Sequence, residues 1–249
     1  MQLIYLAVAM FVVGFIDSMA GGGGLLSVPI LLMTGLPVKV AMATNKMTAV
    51  FGLSSSTYNF YKKDKIDMKL IIKWAPICLI GSIIGTKMLD FVSSDFLKGA
   101  IPVVLVIALL QSIFRKKKEG NLNTKIDHKD FKKGLLFVFL MGFYSGFIGP
   151  ATSTFIALGL IHIFELDFFT GNALSKPLTL LGTLVSFVIL IVSGYVNIKY
   201  GIIAAVFRTL GSYVGTNFAI DKGEKIVKPI FLSFTFIMAI KMFLDMYLA

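Results

Sequence analysis

Four ionisable side chains stand inside otherwise apolar runs of this sequence: Asp17, Lys46, Lys176 and Arg208. A charge at that depth is costly, so it faces a cavity or a partner and marks a place with a job. Lys46 and Lys176 each lie five to seven residues into an apolar segment. Their ammonium groups can draw in an anion, or snorkel out to lipid headgroups. Arg208 is the deepest cation, flanked by Phe207 and Leu210. Its guanidinium can grip an oxyanion through paired N–H groups, or form an ion pair with Asp17. Asp17 can titrate and couple an ion's movement to protons, or cap the glycine turn that follows it.

Around these charges sit neutral groups suited to an oxyanion. Gly21, Gly22, Gly23 and Gly24 remove every Cβ from one turn, which lets backbone N–H groups approach a ligand closely. A short apolar helix from Leu25 to Met33 is expected next, and its N-terminus favours negative charge. The second such place is Gly149-Pro150-Ala151-Thr152-Ser153-Thr154. There Pro150 suits the first position of a helix and the hydroxyls can cap it or touch a ligand. Thr44 and Asn45 precede Lys46, and Asn172 and Ser175 precede Lys176, so each lysine has hydrogen-bonding neighbours.

The elements that position these residues are membrane helices. The 249 residues are 57% hydrophobic and 15% charged, with mean hydropathy +0.86; soluble domains carry about 25% charge. Apolar runs predict six full crossings: Ala41–Tyr61, Leu70–Leu89, Phe96–Phe114, Phe169–Ser193, Tyr200–Phe218 and Lys228–Tyr247. Leu3–Met33 and Gly134–Phe164 fit differently. Each would be roughly 46 Å long as one helix, too long for one span and short for two. With glycine in the middle, each reads as two half-helices, re-entrant or a tight hairpin, a feature tolerated only inside protein or beside a cavity. Residues 1–13 have no basic start and no cleavage site follows, so the first apolar stretch is expected to be retained.

The chain repeats itself. At an offset of 130, Lys46 meets Lys176, Gly52 meets Gly182, and Gly81-Ser82-Ile83-Ile84-Gly85-Thr86 meets Gly211-Ser212-Tyr213-Val214-Gly215-Thr216. Gly14-Phe15 meets Gly142-Phe143 at 128. The G-S-x-x-G-T match is read as small-residue helix packing rather than substrate contact. The expected fold is therefore an all-α polytopic membrane protein of two homologous halves, each a broken segment plus three full transmembrane helices. Residues 1–114 form the first repeat, 115–133 a basic linker and 134–249 the second repeat. Basic residues of the 62–73 and 115–133 loops place both on the cytoplasmic side. An odd number of crossings per half favours inverted over parallel repeats. Paired interruptions in corresponding places point to a transporter's binding site. Trp74, with Tyr58 and Tyr61, suits an interfacial aromatic belt.

The run Gly21–Gly24 with Val28-Pro29, then Ala43-Thr44-Asn45-Lys46, Phe51-Gly52, Ser54-Ser55-Ser56 and a basic loop containing Ile66-Asp67 resembles the sulfite exporter TauE/SafE family of membrane transporters. The resemblance covers essentially the whole chain. It implies movement of a small sulfur-containing anion, such as sulfite, thiosulfate or an organosulfonate, driven by an ion gradient across the cytoplasmic membrane. The second half departs from the family pattern: Gly149-Pro150-Ala151-Thr152 replaces a glycine run, nothing matches Pro29, and Gly171-Asn172-Ala173-Leu174-Ser175-Lys176 replaces Ala-Thr-Asn-Lys.

The alternatives are an anion channel, a transporter of another small organic anion, and a membrane-embedded enzyme. The last has thin support, since Asp17 has no His or Cys beside it. Cys78 is the single cysteine, and His128 and His162 lack neighbours at ligand spacing, so no metal and no cofactor is expected. The net charge of +11 lies mostly in the basic loops, where it meets anionic lipid rather than nucleic acid. The expected partners are a small anion and membrane lipid; a homodimer is compatible with the sequence, which leaves the oligomeric state open.

Overall fold

The computed structural model describes residues 2–63, 65–97, 99–100, 103–104, 107, 128–222 and 233. Among them all regular structure is helical. In the first half, α1 (Gln2–Ala20) is followed by a short α2 (Gly23–Leu32), then α3 (Val38–Lys62) and α4 (Met68–Met88), which ends in a 3-10 turn, Leu89–Phe91. In the second half, α5 (His128–Phe147), α6 (Thr152–Phe164), α7 (Phe168–Val192) and α8 (Ile198–Lys222) follow in the same order. Helices α3 and α7, and the starts of α4 and α8, fall at the same offset of 130 as the sequence match. The crossings expected at Lys228–Tyr247 and over most of Phe96–Phe114 lie outside the described residues, as does most of the linker.

Three expectations need adjusting. The breaks are off-centre, because the glycine turn comes late: α1 has 19 residues and α2 only 10, not two equal halves. The end of the presumed linker, from His128, is already helix α5. Trp74 turns inward and does not present its ring to lipid. It is fully buried, stacking on Phe131 at 6.2 Å and tilted against Phe164 at 5.4 Å, while Tyr58 and Tyr61 are exposed. An aromatic flanked by a basic loop looks interfacial in sequence, but α5 and α6 cover its face here.

By length and composition, Gln2–Met19, Met68–Phe91 and Phe168–Val192 are apolar enough to cross a membrane. Helices α3 and α8, of 25 residues each, are long enough at about 37 Å.

Side-chain register fixes how the helices run. Gly14 abuts Arg208 and Ser212, and Gly215 abuts Phe15 and Ser18, so α1 and α8 run parallel. Gly81 abuts Phe139 and Phe143, and Gly85 abuts Phe143 and Phe147, so α4 and α5 do the same. Cys78 donates to Leu178 O, and Ser82 Oγ to Gly182 O at 2.6 Å, which aligns α4 with α7. Gly201 lies beside Met47 and Gly52 beside Arg208, which aligns α3 with α8. The glycines of both G-S-x-x-G-T runs thus sit against main chain of a helix from the other half. That is the close packing expected of them.

Helix α2 runs the other way: Gly24 and Ser27 lie beside Asn45, and Val28 packs with Met42 and Val38. The chain therefore goes in along α1, turns at Gly21-Gly22 and comes back along α2. The second half does the same with α5 and α6. The two turns meet: Gly24 faces Pro150, and Gly21 faces Ser153 and Thr154.

Candidate functional site

A helix that stops inside a hydrophobic body leaves its last carbonyls without water, so they need donors from elsewhere. The cations supply them, each across the boundary between halves. Lys176 Nζ on α7 donates to the main-chain oxygen of Asp17, near the end of α1. Lys46 Nζ on α3 donates to the main-chain oxygen of Ser145, near the end of α5. Asp17 and Ser145 are equivalent at the offset of the opening repeat, so the two contacts are counterparts. Asn172 Nδ2 adds bonds to Met19 O at 2.8 Å and Ser18 O at 3.2 Å. Snorkelling is excluded for both lysines, which are 3% and 0% exposed.

The first turn needs positive φ, and Gly21 (83°) and Gly22 (85°) provide it at little steric cost. The amide at the start of α2 is met by an internal anion: Gly23 N donates to Asp17 Oδ1 at 2.9 Å, while Gly22 N donates to Ser153 Oγ at 3.3 Å. The second turn uses Gly149 (87°) and, unusually, Ala151 (65°), which stands at the N-cap of α6 as Gly22 stands at that of α2. Pro150 therefore precedes the helix instead of opening it. With two left-handed residues around it, the chain becomes helical only at Thr152. Thr152 Oγ1 turns back to Gly149 O at 2.6 Å, and Tyr144 Oη holds Pro150 O at 2.5 Å.

Arg208 joins the halves. Its Nη2 meets Asp17 Oδ2 at 2.8 Å, and Nη1 donates to Asn45 Oδ1 and Thr48 Oγ1, both at 2.9 Å, and to Ser27 Oγ at 3.4 Å. The ion-pair reading of Arg208 and Asp17 is the one found. Ser153 Oγ donates to the other carboxylate oxygen at 3.3 Å.

Between the two turns lies a partly open polar pocket of about 20 Å³, room for about one water molecule. It is lined by Asp17, Gly24, Asn45, Lys46, Gly149, Thr152, Ser153 and Arg208, all singled out in the sequence. Others do not reach it. Gly21, Gly22 and Gly23 make the turn, and Thr44 Oγ1 accepts from Asn197 N at 3.0 Å at the start of α8. Ser175 bonds back along its own helix to Asn172 O, and Lys176 and Asn172 hold the end of α1. Ala49, Leu53, Ala151, Thr179 and Thr183 also line the cavity without having been singled out. Thr179 and Thr183 lie one and two helical turns beyond Lys176, as Ala49 and Leu53 do beyond Lys46, so helical spacing from the lysines is the signal that could have found them. Ser145 Oγ, Thr154 Oγ1 and Arg208 Nε are buried without a hydrogen-bond partner. Two basic side chains, one paired carboxylate and several hydroxyls make a small, polar, hydrogen-bonding chamber. Among the described residues no group of side chains could hold a metal ion.

Comparison with known proteins agrees with this architecture. The family model described as Sulfite exporter TauE/SafE matches residues 6–242. The chain is similar to the "Probable membrane transporter protein ORF9" of Sinorhizobium sp, at 32% identity over 98% of this chain and 93% of the relative. It is 30% identical to a "Probable membrane transporter protein" of Haemophilus influenzae, over 94% and 92% of the two chains. It is also 30% identical to "Probable membrane transporter protein YfcA" of Escherichia coli, over 93% and 86%. No solved structure matches the chain significantly.

Proposed function

The chain belongs to the sulfite exporter TauE/SafE family of membrane transporters, and we propose that it is a secondary transporter of a small sulfur-containing anion in the cytoplasmic membrane. The observation that carries this reading is the cavity between the two turns, with Lys46 and Arg208 both in its wall. An oxyanion there would be held by the Lys46 ammonium, by the free Nε of Arg208 and by the hydroxyl of Thr183, whereas Thr152 and Thr179 already donate theirs to main-chain oxygens. Lys176, Asn172 and the glycines hold the helix ends that shape the chamber. Asp17 keeps Arg208 in place and closes the first turn.

The register supports inverted repeats, the arrangement that alternating access uses. Helices α1, α3 and α8 run parallel to one another, as do α4, α5 and α7. Short connections of a few residues make α3 and α4 run oppositely. Each helix of the first half then opposes its counterpart in the second, with the α1–α2 and α5–α6 hairpins entering from opposite faces. This supports residues 1–114 and 134–249 as two inverted units that could rock about a fixed central site.

Uptake of radiolabelled thiosulfate or sulfite into proteoliposomes tests the assignment. Wild type should accumulate one of these anions, and Lys46→Ala should lose most of that uptake while still purifying as a folded protein. Wild-type rates in Lys46→Ala would remove Lys46 from the site.

A further inference from the structure

The cations at the chamber are not equally balanced. Arg208 is paired with the Asp17 carboxylate at 2.8 Å. Lys176 donates to the main chain of that same Asp17 and lies behind the wall. Lys46 lines the cavity, is 3% exposed, and among the described residues has one polar partner, the carbonyl of Ser145. A carbonyl accepts from a neutral amine as well as from an ammonium, though more strongly from the ammonium, so this bond can hold the side chain in place in either state.

The other charged or titratable groups around Lys46 are few. Asp17 comes from α1 and Arg208 from α8, and they are engaged with each other. Lys176 comes from α7. Tyr144 comes from α5, its hydroxyl bound to Pro150 O. Helix α2 has none, and α6 has His162 near its far end. Burying an unpaired ammonium costs more than one helix C-terminus returns. The charge on Lys46 is therefore balanced only while an anion shares the chamber. Resting on the anion-carrier reading above, we infer that Lys46 is the proton-coupling group of this transporter, neutral when the chamber is empty and protonated when an anion enters.

The step is a simple protonation. The amine lone pair takes a proton from hydronium on the open side, releasing water, and the ammonium pairs with the anion. No bond of the anion is made or broken. On the far side the anion leaves and the proton follows it. Anion and proton thus travel together, and Asp17, held by Arg208, Gly23 and Ser153, is not the carrier of the proton.

Thiosulfate is a suitable probe, because its conjugate acid is too strong to titrate near neutrality. Purified full-length protein in weakly buffered detergent is titrated with thiosulfate while a pH indicator reports proton uptake. Wild type should take up about one proton per thiosulfate bound at mildly alkaline pH, and affinity should fall about tenfold per pH unit there. Lys46→Arg carries a permanent charge; it should bind thiosulfate with no proton uptake and with affinity independent of pH. Wild type binding thiosulfate without proton exchange overturns the inference, whether or not the variant folds. So does proton uptake that persists in Lys46→Arg. If thiosulfate, sulfite, sulfate and methanesulfonate all fail to bind wild type, the anion-carrier reading falls first and the inference with it.

Discussion

Arg208 and Asp17 come from the last and first described helices of the chain, yet they form the ion pair at its centre. Removing one member of such a buried pair leaves a bare charge and should cost about 3–5 kcal/mol, whereas removing both should cost much less. Thermal unfolding in detergent of Asp17→Asn, Arg208→Met and the double variant measures this. If the double variant loses the sum of the two single losses, the pair does not couple. The pairing was readable from residue types alone, since two opposite charges at depth seek each other. The acceptors of Lys46 and Lys176 were not readable. Both are main-chain carbonyls, which carry no sequence signature and become acceptors only where a helix stops.

At the scale of elements, the two hairpins solve the same turn with different residues. Gly22 takes the left-handed N-cap of α2 freely, whereas Ala151 takes it at α6 with φ of 65°. A Cβ in that region costs about 1–2 kcal/mol. Ala151→Gly should therefore stabilise the protein by about 1 kcal/mol, seen as a raised melting temperature; a lower one would mean that the methyl group packs usefully against the chamber. Both breaks were visible in the sequence as glycine inside apolar runs, and so was the packing role of G-S-x-x-G-T. The uneven lengths of α1 and α2 were not, because hydropathy does not tell a turn at residue 21 from one a few residues earlier. Nor was Trp74, whose cover by Phe131 and Phe164 depends on a register across two helices.

Over the whole molecule, duplication was legible because matched spacings survive, and those spacings reappear in helices that begin 130 residues apart. The direction of each half was less legible, since it depends on how many times the broken segments cross. The proposed inverted repeats would put the 63–67 loop in the cytoplasm and the 193–197 loop outside. In a Cys78→Ala background, a membrane-impermeant maleimide applied to intact cells should label Gly194→Cys and not Lys65→Cys; equal labelling of the two would favour parallel repeats. The central claim is that an oxyanion occupies the space between the two turns. Anomalous diffraction from crystals soaked in thiosulfate tests it most directly. The expected result is a sulfur peak within hydrogen-bonding reach of Lys46 Nζ and Arg208, between Gly24 and Gly149. An empty chamber, with thiosulfate found only against the basic loops, would contradict it.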